Sequence, residues 1–248
     1  MSSPSSWEQI VRAFRRLPGS PITVAAGGLA IAGTLWIVKD YHEWISFGTG
    51  GTPSTLAGYL KMRKWWFKRL WNGDDLRNPS ALPKDGPRYL LRPVPRREGG
   101  RPELMSRTLP HRQKPEALEP QTKDVLFSLP TKLQSQRPDI LVLAPSKTEG
   151  GSADAIYAKA DLASLNPEAA SLQYEIAHVH PSDNSLHVML APFDARTLIE
   201  TYWAESFPVH EIAPPGWVMV YAPRDKREVE LVEDIMKAAV AWVTGVTI

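Results

Sequence analysis

The longest apolar stretch of the sequence lies near its beginning, at residues 19–38 (GSPITVAAGGLAIAGTLWIV). None of these twenty residues is charged. As a helix with a rise of about 1.5 Å per residue, the stretch would be about 30 Å long, which matches the hydrocarbon thickness of a bilayer. Aromatic side chains typical of the membrane interface lie near its end: Trp36, Tyr41 and Trp44. We therefore predict an N-terminal tail at residues 1–18 and a transmembrane anchor at residues 19–39.

Two other interpretations of this stretch are weaker. A cleaved signal peptide has a shorter apolar core, and it is followed by an A-x-A cleavage site that this sequence lacks. A buried helix of a soluble protein is also disfavoured, because the stretch contains four glycines, which are poor helix formers. The membrane anchor is therefore the favoured interpretation.

The basic residues on the two sides of the anchor give opposing indications of its topology. Arg12, Arg15 and Arg16 would keep the N-terminus in the cytosol by the positive-inside rule. Five basic residues on the other side compete with them: Lys61, Arg63, Lys64, Lys68 and Arg69. The absence of cysteines and of N-x-[ST] glycosylation sites favours a C-terminal domain that faces the cytosol. We predict a single-pass protein of the endoplasmic reticulum membrane.

Residues 40–72 are predicted as a juxtamembrane segment with an amphipathic helix over residues 52–72, which Thr52 or Ser54 would cap. This helix either packs on the globular domain or lies on an anionic membrane surface, with tryptophans inserted and lysines at the headgroups. Residues 73–120 are rich in proline and glycine and lack periodicity, which indicates a strap or a linker.

Residues 121–248 mix strand patterns with helix patterns, which predicts an α+β domain built from a small antiparallel sheet packed with helices. Strands are predicted at 139–146, 154–160 and 217–223, in addition to one hairpin. The predicted helices are 121–136, interrupted at Pro130; 194–205, with Asp194 as N-cap; and 225–245, with Asp225 as N-cap and Gly245 at its end.

The hairpin carries a cluster of histidines in the stretch EIAHVHPSDNSLHV, residues 175–188. Three of the six histidines of the chain lie here: His178, His180 and His187. With residues 181–184 as a four-residue loop, His178 faces His187 across the hairpin. His180, two residues on, shares their side of the sheet, and Glu175 is predicted on the opposite side.

Three imidazoles on one face are compatible with three kinds of site. They can hold zinc or iron with an Asp or Glu that completes the ligand set. They can act as a general acid or base, or bind a substrate, because the histidine pKa lies near neutrality. They can also form a hydrogen-bonded structural cluster. The spacing favours acid–base chemistry or substrate binding and leaves the other two open.

Composition excludes several classes of function. A formal net charge of +2 gives no strong field for binding nucleic acid. With no cysteine, the chain has no disulfide, no thiolate nucleophile and no cysteine-ligated zinc.

Five short motifs together resemble the luciferase of luminous fungi and its non-luminous fungal relatives. They are E-I-A-H-V-H at 175–180, L-H-V-M-L-A at 186–191, P-P-G-W-V-M-V-Y-A-P-R-D at 214–225, R-R-E-G-G-R-P-E-L at 96–104 and P-H-R-Q at 110–113. Proteins of this family also begin with a single apolar span. The resemblance covers nearly the whole chain and is strongest at residues 174–245.

The resemblance implies a membrane-anchored oxygenase or cyclase of secondary metabolism. The luminous members act with molecular oxygen on 3-hydroxyhispidin, a styryl-pyrone, without metal or flavin. By this likeness we expect no metal ligand and no cofactor, with oxygen as a co-substrate. The expected partners are an apolar aromatic or polyketide substrate and membrane lipid, and not nucleic acid. The predicted catalytic residues are His178, His180 and His187. The predicted substrate-binding residues are Arg101, His111, Arg112, Trp203, Trp217 and Tyr221, with Lys147 as a further donor to an anion.

One motif departs from the family. Where the resemblance implies a W-G-x-R-H-P-like run, the chain has Trp203-Ala204-Glu205-Ser206-Phe207-Pro208. This replacement disfavours luminescence and favours a related cofactor-free oxygenation or proton-transfer reaction. Two alternatives remain open: a metalloenzyme that uses the same histidines as ligands, and a membrane-tethered binding protein without catalytic activity.

Overall fold

The computed structural model of the chain describes residues 20–151 and 153–248, within two units, Met1–Gly48 and Thr49–Ile248. The predicted tail at residues 1–18, which contains Arg12, Arg15 and Arg16, lies outside the described residues.

The described part of the first unit forms a helix, α1, at Pro21–Phe47. The helix begins after Ser20, whose hydroxyl oxygen accepts a hydrogen bond of 3.3 Å from the backbone N–H of Thr23. The segment Ile22–Phe47 is long and apolar enough to cross a membrane, and its most apolar part has a mean hydropathy of 1.6. The predicted anchor coincides with the first part of α1, and the helix continues past residue 39.

The second unit begins with helix α2 at Leu56–Asn72, which is the predicted amphipathic helix. Its N-cap is Thr55, whose side-chain oxygen accepts from the Gly58 N–H at 3.2 Å, so the prediction of Thr52 or Ser54 as cap was wrong. Gly58, Tyr59 and Met62 are buried. Several large apolar side chains of α2 remain exposed: Leu56, Leu60, Phe67, Leu70 and Trp71.

Residues 73–119 contain little regular structure beyond a short 3₁₀ helix at Pro79–Ala81. They are nevertheless hydrogen-bonded to the elements that follow. Arg196 donates to the Pro79 carbonyl at 2.9 Å, and Arg97 donates to the Ala222 carbonyl at 2.6 Å. These contacts favour an ordered strap over a linker.

The remaining elements of the second unit are three helices and six strands. The helices are α3 (Pro120–Gln136), α4 (Pro192–Glu200) and α5 (Lys226–Thr244). The strands are β1 (Leu141–Pro145), β2 (Asp154–Ala158), β3 (Glu175–Val179), β4 (Leu186–Met189), β5 (Ala204–Ser206) and β6 (Trp217–Val220). A second 3₁₀ helix lies at Pro167–Leu172.

The six strands form one antiparallel sheet in the order β1-β2-β3-β4-β6-β5, so the predicted α+β class is confirmed. Helices α3 and α5 contact each other and the strands β2 and β3. Asp225 caps α5 by accepting from the Glu228 N–H at 2.9 Å, and Gly245 ends it with φ of 73°, as predicted. The apolar face of α5 is buried: Val229, Val232, Ile235, Met236 and Ala239.

Pro130 does not interrupt α3, so this part of the sequence prediction was wrong. A proline inside a helix removes one backbone hydrogen bond and disfavours the helix by about 3 kcal/mol. The apolar side chains of Leu126, Leu129 and Leu133 are fully buried on the same helix. Their burial is worth about 1.5–3 kcal/mol each and therefore outweighs the loss.

Two predictions about α4 were also wrong. Its N-cap is Ala191 rather than Asp194, because a proline occupies the first helical position. The Asp194 carboxylate instead accepts hydrogen bonds from the backbone N–H groups of Tyr89 (2.8 Å) and Leu90 (3.3 Å). The helix was predicted to continue to residue 205, but it ends at Glu200, and residues 204 and 205 belong to strand β5.

Candidate functional site

The three hairpin histidines direct one ring nitrogen each toward a common point. In the sheet, His178 pairs with His187, and the His180 N–H donates to the Ser185 carbonyl at 2.8 Å, which is the predicted register. His178 Nε2 and His180 Nε2 are 3.1 Å apart. His187 Nδ1 lies 3.2 Å from the His180 nitrogen and 3.4 Å from the His178 nitrogen. All three side chains are buried.

Glu149 places a carboxylate beside the same three nitrogens. Its Oε1 lies 3.5 Å from His178 Nε2 and 3.9 Å from both His180 Nε2 and His187 Nδ1. Glu149 lies on the loop between β1 and β2, where Gly150 and Gly151 adopt positive φ angles of 65° and 83°. This turn, which favours glycine, directs Glu149 inward.

Each imidazole also has a partner for its second nitrogen. His178 Nδ1 donates to Glu175 Oε1 at 2.6 Å, since a carboxylate only accepts. His180 Nδ1 donates to the Ser185 hydroxyl at 2.8 Å, because that hydroxyl donates its own proton to Asp183 Oδ2 at 2.6 Å. These partners fix the orientation of both rings.

His187 is connected to a second buried carboxylate through His111. His187 Nε2 lies 3.4 Å from His111 Nδ1, and His111 Nε2 donates to Glu205 Oε1 at 2.7 Å. Glu205 also accepts from the Tyr221 hydroxyl at 3.0 Å. A hydrogen-bonded path therefore leads from each of the three histidines to a buried carboxylate: Glu175, Asp183 or Glu205.

The prediction that Glu175 points away from the histidines was wrong. The pairing of β2 with β3 shifts register between Ile156 and Tyr157, so that Tyr157 pairs with Glu175 after Ile156 pairs with Ala177. Such a bulge re-aims the side chains that follow it. The Glu175 carboxylate consequently lies beside the His178 imidazole.

The environment separates the pKa values of the three histidines. Burial, together with the positive charge of Arg112 and the neighbouring imidazoles, lowers the pKa of His180 well below its usual value. The pKa of His187 falls for the same reasons. Burial also acts to lower the pKa of His178, but the carboxylates of Glu149 and Glu175 outweigh it and raise that pKa.

The pKa of Glu149 is low despite its position. Burial acts to raise it, but the hydrogen bond with His178 and the charge of Arg112 lower it to about 2. Glu149 is therefore an anion at neutral pH.

A cavity of about 240 Å³ opens onto one side of the cluster. Its polar lining includes His111, His187 and Glu149. Its apolar side includes Leu109, Phe207, Ile212 and Trp217. The ring centroids of Phe207 and Trp217 both lie 5.4 Å from that of His187. His178 and His180 lie behind this wall, fully buried.

The structure brings only some of the predicted substrate-binding residues to this cavity. His111 and Trp217 line it, and so does Lys147. Arg112 instead forms ion pairs with Glu149 and with Asp183. The roles of His111, Arg112, Trp217 and Lys147 in substrate binding stay predictions.

The other three predicted substrate-binding residues do not line the cavity. The Tyr221 hydroxyl reaches the site only through Glu205. Arg101 stacks over the Tyr202 ring, with its guanidinium carbon 4.0 Å from the ring centroid. Trp203 donates to the Pro95 carbonyl at 2.7 Å and lines a separate groove.

That separate groove is larger, about 640 Å³, but no histidine lies among its lining residues. Three of its five arginines are paired with acidic residues of α5: Arg97 and Arg224 with Glu228, and Arg92 with Asp234. The cavity beside the histidines is therefore the better candidate site.

Sequence reasoning missed four residues that complete the cluster. They are Glu149, Asp183, Glu205 and Phe207. Glu149 and Asp183 lie in loops and gave no periodic signal, although the Gly150-Gly151 pair marks a tight turn beside Glu149. Glu205 and Phe207 lie within the motif that departs from the family, so only that comparison drew attention to them.

The chain is similar to known proteins over most of its length. Residues 173–239, which include the hairpin and most of α5, match the family described as "Luciferase domain". The luciferase of Armillaria gallica is 27% identical over 242 residues, which cover 90% of this chain and 89% of that protein. The luciferase of Armillaria mellea is 28% identical over 244 residues, with the same coverage.

A luciferase from another genus, Neonothopanus nambi, is 27% identical over 224 residues, which cover 84% of this chain and 82% of that protein. No solved structure matches the chain significantly. The resemblance to fungal luciferases that the five motifs indicated is thus confirmed.

Proposed function

The chain is similar to fungal luciferases over most of its length, and on this premise we propose that it is a membrane-anchored enzyme acting on an apolar, ring-shaped metabolite. The substrate class is a phenolic, polyketide or pyrone-like compound with an acidic ring hydroxyl. The reaction is an oxygenation by molecular oxygen, or a cyclisation by proton transfer.

The observation that carries the proposal is the mixed apolar and polar lining of the cavity beside the histidines. Phe207 and Trp217 bring apolar rings to the lining, and His111, His187 and Glu149 bring polar groups. Both apolar rings lie beside the His187 ring, at centroid distances of 5.4 Å. Such a lining suits a planar aromatic ligand, because aromatic rings stack favourably at centroid distances of about 4.5–7 Å. The volume of about 240 Å³ favours a small ligand.

The chemistry begins with removal of a proton from the ring hydroxyl. An enolate or phenolate passes an electron to oxygen far more readily than the neutral ring does. In this proposal the cluster of His178, His180 and His187 promotes that step, with His187 nearest the substrate. Lys147, at the rim of the cavity, would stabilise the resulting anion.

The proposed location is the endoplasmic reticulum membrane, with the second unit in the cytosol. The support is the length and apolar character of α1, together with the absence of cysteines and glycosylation sites. Apolar ring compounds partition into membranes, so an anchored enzyme meets a higher substrate concentration there.

The proposal is tested by metabolite profiling of a fungal host that makes phenols and polyketides. We compare a strain that expresses the chain with a strain that carries the empty vector, by mass spectrometry under air and under low oxygen. We expect one new product in the expressing strain, together with loss of its precursor. Identical metabolite profiles in the two strains would contradict the proposal. A product that forms equally without oxygen would assign the cyclisation rather than the oxygenation.

The membrane part of the proposal makes a separate prediction. Deletion of residues 1–48 removes α1, and we expect the remaining chain to shift from the membrane pellet to the supernatant after ultracentrifugation. The matched control is the full-length chain, which should stay in the pellet after a high-salt wash. If the truncated chain still sediments with membranes, the exposed apolar and basic residues of α2 act as a second attachment.

A further inference from the structure

The four inward-facing atoms of the histidine cluster have the geometry of a metal site. A tetrahedral ion with bonds of about 2.0–2.1 Å to nitrogen and oxygen holds its ligand atoms about 3.3–3.4 Å apart. The six distances among Glu149 Oε1 and the three imidazole nitrogens run from 3.1 to 3.9 Å. The tetrahedron is thus close to the required size.

The hydrogen-bond partners around the cluster determine where the imidazole protons lie. His178 Nδ1 carries the proton that it donates to Glu175, and His180 Nδ1 carries the one that it donates to Ser185. In neutral imidazoles the opposite nitrogens, both Nε2, therefore hold lone pairs.

The same reasoning applies to His187 through His111. His111 donates Nε2–H to Glu205, so its Nδ1 accepts from His187 Nε2–H. His187 Nδ1 then carries the third lone pair that points toward the centre of the cluster. With neutral imidazoles, three nitrogen lone pairs and one carboxylate oxygen face one another around a common point. A proton on one nitrogen relieves part of this repulsion, and a cation bound between them satisfies all four acceptors at once.

We infer that His178, His180, His187 and Glu149 bind a divalent first-row transition metal ion. The three imidazoles and one carboxylate are the donor types that zinc, iron, manganese, nickel and copper take in proteins. Metal-binding histidines almost always have an acceptor for their other N–H, most often a carboxylate, a carbonyl or water. In this cluster the acceptors are the Glu175 carboxylate, the Ser185 hydroxyl and the His111 imidazole. This inference departs from the metal-free chemistry that the family resemblance implies.

The position of the ion relative to the cavity suggests its use, and this part rests on the proposed function. Two of the four ligands, His187 and Glu149, line the cavity, while His178 and His180 lie behind it. A ring oxygen would therefore approach the ion from the cavity side, as a fifth ligand beside the four protein ligands. Bound to the ion, the deprotonated oxygen of the substrate would be stabilised as an anion.

The test is the metal content of the full-length chain, purified in mild detergent and measured by mass spectrometry of the elements. We expect about one equivalent of a transition metal per chain, and less than about one tenth of that in the His178→Ala variant. The His210→Ala variant removes an exposed imidazole and should keep the wild-type content. A wild-type chain that stays metal-free after incubation with Zn²⁺, Fe²⁺, Mn²⁺, Ni²⁺ or Cu²⁺ overturns the inference.

A second variant avoids the risk that the loss of a ligand also unfolds the chain. Ser185→Ala keeps all four ligands but removes the acceptor for His180 Nδ1–H. Titration of the metal-stripped chain with Co²⁺, followed by its visible absorption, should give an affinity about 10–100-fold weaker than that of the wild type. Ser135→Ala, on the exposed side of α3, is the matched control and should bind Co²⁺ as the wild type does. Equal Co²⁺ affinities of Ser185→Ala and the wild type, with both chains folded by circular dichroism, would contradict the inference.

The failures of the two proposals are distinguishable, since metal binding is measured without a substrate. A chain that binds metal but makes no product contradicts the proposed function alone. A chain that makes its product and binds no metal contradicts the metal site alone.

Discussion

The Glu175→Ala variant is expected to lose about 3–5 kcal/mol of its free energy of unfolding, because removal of one partner from a buried ionic network leaves the others unpaired. Glu175 is fully buried, and its two oxygens accept hydrogen bonds from five donors. These are the Ser146 hydroxyl, the Thr148 hydroxyl and N–H, the Tyr157 hydroxyl and His178 Nδ1. Alanine satisfies none of them.

The same variant would loosen several elements at once. Glu175 ties the loop after β1, through Ser146 and Thr148, to strand β2, through Tyr157, and to the histidine cluster. The measurement is urea unfolding of the full-length chain in mild detergent, followed by tryptophan fluorescence. Glu230→Ala, at an exposed position of α5, is the control and should change the free energy by less than about 0.5 kcal/mol. A loss below about 1 kcal/mol for Glu175→Ala would mean that this network does not form in the folded protein.

The hairpin shows how much of the fold followed from the sequence. The period of two in β3 and β4 and the turn residues at 181–184 were sufficient to predict that His178 faces His187. The caps of α5 were predicted as well, since Asp225 and Gly245 are strong local signals. The prediction that failed at Pro130 depends on the tertiary burial of the leucines on the same helix, which no local pattern encodes. The N-cap of α4 was misplaced although Pro192 is a local signal for the helix start.

The site was predictable only in part, for a related reason. Three histidines on one face follow from strand periodicity, but Glu175 joined them through a β-bulge, which depends on how two strands pair. Glu149 comes from a different loop, and its approach to His178 depends on the folded chain.

Phe207 illustrates the limit of the family comparison. The resemblance indicated that a histidine is expected at this position, and the structure places the Phe207 ring 5.4 Å from the His187 ring and 5.9 Å from the His111 ring. The replacement therefore lies on the cavity wall and changes its polarity. A wall that is more apolar at this point favours a substrate without a polar group there, which supports a reaction other than that of the luminous relatives.

His187→Ala is expected to lower kcat for the product identified in the fungal host by about 10²–10⁴-fold, because this imidazole is the member of the hairpin cluster that borders the cavity. The apolar walls of the cavity stay in place, so KM should change much less than kcat. The comparison uses purified full-length chains in mild detergent, with product quantified over time. His210→Ala removes an exposed imidazole and should leave kcat unchanged. A His187→Ala chain that turns over as fast as the wild type would show that the cluster does not take part in the reaction. If the wild type binds the ring compound but never converts it, the chain is a binding protein rather than an enzyme.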